Sequence, residues 1–411
     1  MIVKKNSNLV TVVDVGDTKV VCLIAKASHT GEISIIGIGH QISEGFKSGT
    51  ITDMKALRSS IIAAIYAAEQ MASISVNSVI VNLSTPQTRS FIARAQANLA
   101  GRQILNSDIR RLINLSLDKV DHAKEDVLYF SPLKYEVDDI KNITNPEFMF
   151  ASSVKIDTCV TTVPNNILVN MASCFSGCHI KISDFVLTSY ASAIACVLKD
   201  EMTRGAILID IGGGSTNICV FEEERLIFSG TISVGGKNIT KDIANFFSIN
   251  LSEAEKIKVI HGSAINAYAD EDKSILVKQF SDDPDQEPNS IKNSLLNQVI
   301  AARVEEIFTL IKEKMSSCGF KNISKKTVII TGGTSQLPSV AEVAGSVLGT
   351  KVRLGLPRIS MIDTTYTRDP AFSTSIGMIK YYYMSEYQKQ KYTSKSTSAL
   401  GKMISWLQQN F

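Results

Sequence analysis

The sequence predicts an α/β fold made of two similarly built halves, each a β-sheet covered by helices. The first reason is an internal echo. Val10-Thr-Val-Val-Asp14-Val-Gly16-Asp17-Thr18-Lys19-Val20-Val21-Cys22-Leu23-Ile24 stands near the start. Ala206-Ile-Leu-Ile-Asp210-Ile-Gly212-Gly213-Gly214-Ser215-Thr216-Asn217-Ile218-Cys219-Val220-Phe221 stands near the middle. Each is a β-branched run ending in Asp, a Gly/Ser/Thr turn and a second β-branched run, which reads as a hairpin with a carboxylate at its mouth. The same device about 200 residues apart suggests two halves facing each other. The second reason is the alternation of strand-like and helical segments between the echoes. The third is length: 411 residues exceed one compact domain at roughly 150 residues each.

Taken in order, Ile51–Met71 has helical spacing (Leu57, Ile61, Ile65, Ala68) and Ser78–Leu83 reads as a strand. Pro86 opens a stretch to about Pro164 with its own turns at Gly101, Pro132 and Asn145-Pro146 and a helix over Ile109–Val120, the pattern of an inserted subdomain. Asn165–Ser176 is helical, Ile180–Leu187 a strand and Ser189–Leu198 a helix of small residues. Asn238–Phe247 and Ser252–Ile260 are further helices, and Ser281–Pro288 is an acidic, proline-broken solvated loop. Leu295–Met315 is a long helix, Thr327–Thr331 a strand running into Gly332-Gly333-Thr334, and Asp369–Tyr383 a helix. The Lys/Ser/Thr-rich run Tyr392–Thr397 reads as a linker.

Composition narrows the function classes. A hydrophobic share of 44% and a charged share of 20% are those of a soluble globular chain, which excludes a disordered or collagen-like one. Lys and Arg number 43 against 40 Asp and Glu, a net charge of +3. A binder that works through a basic surface carries a larger excess, so no nucleic-acid partner is expected. Seven cysteines scattered through apolar segments read as reduced, buried thiols and a cytoplasmic address. The Met1–Asp14 start is too short for a secretory signal, and no stretch approaches the ~18 apolar residues of a spanning helix. A membrane would be met from one side.

The chemistry points to phosphate. Consecutive glycines let backbone amides close on an oxyanion with no Cβ in the way, and Ser215 and Thr216 add hydroxyl donors. A flexible hairpin turn is the bland alternative for Gly212–Thr216; Asp210 argues against it. A carboxylate at a strand end beside a phosphate nest is what a hydrated Mg²⁺ requires. Asp14 with Gly16-Asp17-Thr18 repeats the arrangement, and Lys19 could neutralise phosphate or simply face solvent. A third element, Val328-Ile-Ile-Thr331-Gly332-Gly333-Thr334-Ser335-Gln336-Leu337-Pro338, reads as a strand, two glycines and the start of a helix whose amides favour anions.

In this order and at these separations the three elements resemble the phosphate-one, phosphate-two and adenosine motifs of the actin-like ATPase superfamily. The small-residue helix Ser189-Tyr-Ala-Ser-Ala-Ile-Ala-Cys196 and Phe372-Ser-Thr-Ser-Ile-Gly377-Met resemble the two helices that cross closely between its halves. The implied fold is actin-like (ribonuclease H-like), two-lobed around a nucleotide cleft. Within the superfamily the chain is similar almost end to end to the bacterial cell-division FtsA family. The likeness includes Ser252-Glu-Ala-Glu255-Lys-Ile-Lys258-Val-Ile-His-Gly262, the Arg303/Glu306 helix and the C-terminal run Ser394–Phe411. The insertion lies where that family carries its distinctive second subdomain. The implied organisation is a first lobe core of 9–85, 165–200 and 369–385, an insertion of 86–164, a second lobe core of 205–245 and 300–357, a small subdomain of 246–299, a linker of 386–398 and a terminal helix of 399–411.

The resemblance implies a polymerising protein that binds ATP with Mg²⁺ and tethers FtsZ filaments to the inner face of the cytoplasmic membrane at the division site, where it helps recruit later division proteins. ATP contacts are implied at Asp14, Gly16, Asp17, Thr18, Lys19, Asp210, Gly212, Gly213, Gly214, Ser215, Thr216, Asn217, Gly235, Gly236, Glu255, Lys258, Gly332, Gly333, Thr334 and Gln336, with Asp14 and Asp210 holding Mg²⁺ through water. Arg303 and Glu306 are implied for the FtsZ C-terminal peptide, an ion pair one helical turn apart being the alternative. Many members have Asp at the position of Asn217, and Thr188 stands at the chaperones' carboxylate, which favours slow or absent turnover. A kinase or phosphatase of the same fold, or a pilus or cell-shape scaffold, are the rival readings.

At about 100° per residue, Leu400, Met403, Ile404, Leu407 and Phe411 share one helical face with Trp406 at its edge. Such a helix after a flexible linker fits an interfacial membrane anchor. Docking on the protein's own core is the alternative, and the linker and family resemblance favour the membrane. Cys174, Cys178 and His179 at a helix end read as packing rather than a metal site, since no second pair follows. Tyr381–Tyr383 reads as surface or interface, and His122 and His261 as structural.

Overall fold

A computed structural model of the protein describes residues 9–28, 32–266, 273–277, 289–320, 323–358 and 368–391. The chain begins with β1 (Leu9–Val15), β2 (Lys19–Ala27), β3 (Ile33–Ile42), the short hairpin β4 (Phe46–Lys47) and β5 (Thr50–Ile51), α1 (Met54–Ala72) and β6 (Ser78–Leu83). It continues through β7 (Arg89–Asn98), α2 (Asn106–Leu117), β8 (Glu125–Val137), β9 (Ile140–Ile143) and β10 (Ser153–Pro164). Then come α3 (Asn165–Ser176), β11 (Lys181–Leu187), α4 (Thr188–Cys196), α5 (Lys199–Arg204), β12 (Ala206–Ile211), β13 (Thr216–Glu222) and β14 (Arg225–Ile232). The rest is α6 (Gly236–Phe247), α7 (Leu251–His261), β15 (Ser274–Val277), β16 (Asn289–Lys292), α8 (Asn293–Ser317), β17 (Thr327–Thr331), α9 (Val340–Leu348), β18 (Val352–Leu354) and α10 (Ser373–Lys391).

The echo in the sequence is a duplication in space. One sheet has the order β11-β6-β1-β2-β3 and the other β18-β17-β12-β13-β14. In each, the central strand pairs in parallel with one neighbour and antiparallel with its hairpin partner. The hairpin partner pairs antiparallel with the next strand, and the far edge strand is parallel. β1 and β12, buried on both faces, are continuous Val/Ile/Leu runs for that reason. The insertion forms its own antiparallel sheet, β7-β10-β8-β9, with α2 packed on it.

Between the halves run α4 and α10. The close approach expected of them is present: a methyl at Gly377 would overlap the Ala191 carbonyl, so only glycine fits there. A side chain at Gly377 would force the helices, and the two sheets they carry, apart.

Differences from the sequence reading have local causes. α10 continues through Lys391, so helix occupies the start of the expected linker, and Tyr381–Tyr383 lie inside the helix rather than at its end. Tyr381 donates to Asp184 at 3.1 Å and Tyr383 to the Ala25 carbonyl at 3.2 Å. His122 and His261 are exposed. Five of the seven cysteines, Cys174 among them, are buried, but Cys178 is half-buried and Cys318 is exposed because it caps the outer end of α8; the Cys178 thiol donates to the Cys174 carbonyl at 3.3 Å. The acidic run Ser281–Pro288 and the terminal segment 392–411 lie outside the described residues. Among the described residues no helix is long and apolar enough to cross a membrane.

Candidate functional site

The two echoed hairpins close with the same bond. The Gly16 amide donates to the Lys19 carbonyl and the Gly212 amide to the Ser215 carbonyl, each at 3.0 Å. The two turns also press on each other. A methyl at Gly213 would overlap the Thr18 hydroxyl, and one at Gly214 the Asp17 carboxylate. Lys237 Nζ donates to the Asp17 carbonyl at 2.6 Å. The Asp17 carboxylate accepts from the Ser48 amide; burial raises its pKa, opposed by that bond and by Lys237.

One residue before the end of each hairpin's first strand stands an aspartate, Asp14 in β1 and Asp210 in β12. Asp210 is buried, and its Oδ2 accepts from Ser192 at 2.5 Å and Thr374 at 3.2 Å. Asp14 Oδ2 accepts from Ser375 at 3.3 Å. The crossing helices α4 and α10 therefore supply hydroxyl donors to both carboxylates, a role that small-residue packing alone does not disclose. Burial raises the Asp14 pKa to about 7, with Lys19 opposing and Asp210 adding to the rise. Burial also raises Asp210. Lys19 is lowered by burial, opposed by Asp14, Asp369 and Asp210, and its ammonium lies 4.0 Å from the centre of the Phe372 ring, a cation–π distance.

The third element is a correction to the sequence reading. β17 is followed by Gly332 with φ +88° and then by a single 3₁₀ turn over Gly333–Gln336. No α-helix begins there; α9 starts at Val340. Pro338 is the cause, because it forces Leu337 out of the helical region to ψ 129°. A methyl at Gly332 would overlap Asp210 Oδ1, whereas one at Gly333 would meet only the Ala371 methyl at 3.8 Å. Thr334 donates to the Gly212 carbonyl at 2.9 Å and Gln336 to Asp369 at 3.0 Å.

The remaining candidates assemble around the second hairpin. The amides of Gly236 and Lys237 donate to the carbonyls of Gly212 and Gly213 at 2.9 and 2.7 Å. A methyl at Gly235 would lie 2.5 Å from the Gly212 carbonyl oxygen. Buried Lys258 bonds Glu255 at 2.7 Å and Thr240 at 3.0 Å and reaches the Gly236 carbonyl at 3.4 Å. Thr216 donates to the Val234 carbonyl at 2.8 Å. Asn217 Oδ1 accepts from Ser84 at 2.8 Å and Thr231 at 2.9 Å. Thr188 accepts from Asn82 at 3.1 Å, and Asn82 in turn holds the Val15 amide at 2.7 Å. Ser84 and Asn82 carried no signal in the sequence, being polar residues at the end of an apolar strand.

Arg303 and Glu306 lie together on α8 at 2.5 Å, and Arg303 also pairs with Asp242 of α6. Leu400, Met403, Ile404, Trp406, Leu407 and Phe411 fall outside the described residues.

Comparison with known proteins agrees with this architecture. The family model "Cell division protein FtsA" matches residues 207–377, and "SHS2 domain inserted in FTSA" matches 86–162. The cell division protein FtsA of Agrobacterium fabrum is 36% identical over 387 residues, covering 92% of this chain and 87% of that protein. The chain belongs to the FtsA family of cell-division proteins. The Escherichia coli K12 FtsA is 27% identical over 423 residues, with both chains covered in full. Among solved structures, a PilM-PilN type IV pilus biogenesis complex aligns with a TM-score of 0.63 at 12% identity, covering 91% of this chain and 98% of that one. MreB 5 of Spiroplasma citri bound to AMPPNP aligns with a TM-score of 0.56 at 12% identity, covering 93% and 98%. At such identities these likenesses establish the fold, which is actin-like with an FtsA-type inserted domain.

Proposed function

We propose that this FtsA-family chain binds ATP with Mg²⁺ in the cleft between its halves, polymerises, and anchors FtsZ filaments to the inner face of the cytoplasmic membrane through its C-terminal helix. In the same reading it helps recruit later division proteins, and the lobes, insertion, small subdomain and anchor follow the boundaries the family resemblance implies. The observation that carries the nucleotide reading is the pair Asp14 and Asp210. They sit at equivalent ends of two like hairpins, electrostatically coupled to each other and to Lys19. Carboxylates that burial penalises when ionised are relieved by a cation, and an all-oxygen donor set suits Mg²⁺ held through water. Bound Mg²⁺ would neutralise phosphate charge. The glycine turns would lend amides to the phosphates, and the room at Gly333 suits a ligand lying against the backbone. That a protein of the same fold is bound to AMPPNP supports the choice of nucleotide.

Slow or absent turnover fits the site. Asn217 and Thr188 carry no charge, and each is engaged by a neighbouring side chain. The nucleotide then serves as a structural or regulatory ligand. The deciding experiment is cosedimentation of the full chain with liposomes, with and without ATP and an FtsZ C-terminal peptide. Pelleting with liposomes that carries the peptide along is the expected result. No pelleting and no peptide affinity would favour a different actin-like scaffold, and rapid phosphoryl transfer to a small molecule an enzyme.

A further inference from the structure

We propose that Ser84 is a positioning residue for the nucleotide phosphates, acting by tying the second glycine hairpin to the first half of the molecule; this rests on the nucleotide reading of the cleft. Ser84 follows β6 and so belongs to the first half. Its hydroxyl lies 2.8 Å from Asn217 Oδ1 and 3.0 Å from Ser215 Oγ, both in the second half. The one proton of Ser84 goes to Asn217, so Ser84 accepts the proton of Ser215. Asn217 Oδ1 takes a second proton from Thr231 on β14. Ser84, Ser215, Asn217 and Thr231 are all buried. A buried chain of hydroxyls joined through an amide oxygen holds its geometry, and removing Ser84 leaves the Ser215 proton without its acceptor.

Two consequences follow for the phosphates. The Ser215 hydroxyl is committed to Ser84, so from this turn the phosphates are met by backbone amides. The direction of those amides then depends on where Ser84 holds Ser215. Ser84 itself is well anchored. The next residues form a tight turn in which the Thr88 amide and hydroxyl both donate to the Thr85 carbonyl, at 3.1 and 2.9 Å. A methyl at Gly49 would overlap the Ser84 carbonyl, so the β4–β5 turn backs it. Six residues on, the Ser90 hydroxyl donates to the Ser229 carbonyl at 2.9 Å and accepts from the Ser229 amide at 3.0 Å. The entry to the inserted subdomain is thus fastened at both ends to β13 and β14, the strands that carry the second hairpin's exit.

The test is calorimetric titration of Mg²⁺–ATP into the full chain and its variants Ser84→Ala, Ser84→Cys and Ser84→Thr, with thermal melts of each. Losing the two neutral hydrogen bonds of the hydroxyl, of which the one to Ser215 bears on the phosphates, should weaken ATP binding roughly two- to tenfold in Ser84→Ala and Ser84→Cys. Ser84→Thr keeps the hydroxyl and should remain within about twofold of wild type. On a Ser215→Ala background, Ser84→Ala should add little further loss of ATP affinity, because the bond through which it acts is already gone. Wild-type affinity in folded Ser84→Cys or Ser84→Ala overturns the proposal, as does a loss in Ser84→Thr equal to that in Ser84→Ala. Should Ser84→Ala not fold, the volume-matched Ser84→Cys decides. A wild-type chain that binds no ATP overturns the nucleotide reading, and with it this proposal; a wild-type chain that binds while the variants match it removes only the role of Ser84.

Discussion

Arg303 on α8 grips Asp242 on α6 through two nitrogens, Nε to Oδ2 at 2.5 Å and Nη2 to Oδ1 at 2.9 Å, while Nη1 holds Glu306 at 2.5 Å. The planar guanidinium suits this forked pairing. Its two donors on one edge are therefore engaged within the protein, and any peptide carboxylate would compete with Asp242.

That relationship changes what reversing the charge at Arg303 does. Arg303→Glu places three carboxylates together, so it should lower the melting temperature, by a cost on the order of 1 kcal/mol for a partly exposed pair, as well as weaken FtsZ-peptide binding. Exchanging the charges, Arg303→Asp with Asp242→Arg, should restore the melting temperature. Peptide affinity that stays low in the exchanged protein assigns Arg303 to the peptide; affinity that returns with stability assigns it to the fold.

The two adjacent glycines of the third element should behave differently. Gly332 has a left-handed backbone and no room beside Asp210, so Gly332→Ala should distort the β17 end and cost both stability and ATP affinity. Gly333 has room for a Cβ. Gly333→Val should melt like wild type yet bind ATP more weakly, because its side chain enters the ligand's space. Wild-type ATP affinity in Gly333→Val would remove the adenosine assignment.

The terminal helix expected from the sequence is tested by a matched pair. Leu407→Glu would put a charge on the face that the sequence pattern makes apolar, where burying one large side chain would contribute roughly 1.5–3 kcal/mol. It should fold, bind ATP and stay in the supernatant when liposomes are pelleted. Gln408→Glu, on the wet face, should pellet nearly as wild type does. If Leu407→Glu unfolds the protein, the helix belongs to the core.

The inserted subdomain should show a pH signature at Asp108. Its bonds to Arg102, at 2.6 and 2.7 Å, and to the Leu105 amide at 2.9 Å cap the start of α2. They hold the carboxyl at about 2, against an ordinary 3.8. A depressed acid contributes stability that is fully present above the unfolded value and is lost as pH falls through the folded one. Asp108→Asn should therefore weaken amide-exchange protection of α2 at neutral pH, and the difference from wild type should shrink between about pH 4 and pH 2.

Much of the architecture could be read from local chemistry. β1, β2, β12 and β13 announce themselves because strands buried on both faces must be continuous β-branched runs, and the turns between them because tight closure needs glycine. α1 and α8 follow from apolar residues at helical spacing. The inserted sheet was legible only as a region with its own turns, since β7 and β8 alternate partly exposed residues that could belong to several pairings.

What the chain determines by itself is which segments are strand, turn or helix, and that two hairpins carry an aspartate and glycines in the same places. Those features depend on neighbours a few residues apart. Tertiary structure alone decided that Gly213 and Gly214 close on Thr18 and Asp17, that α4 and α10 supply hydroxyls to Asp210 and Asp14, that Arg303 finds Asp242, and that Ser84 reaches Asn217 across 133 residues. Each is a contact between groups brought together by the packing of two sheets around two crossing helices. A serine or an arginine has the same local propensity whether or not such a partner arrives, so its sequence neighbours carry no record of the contact.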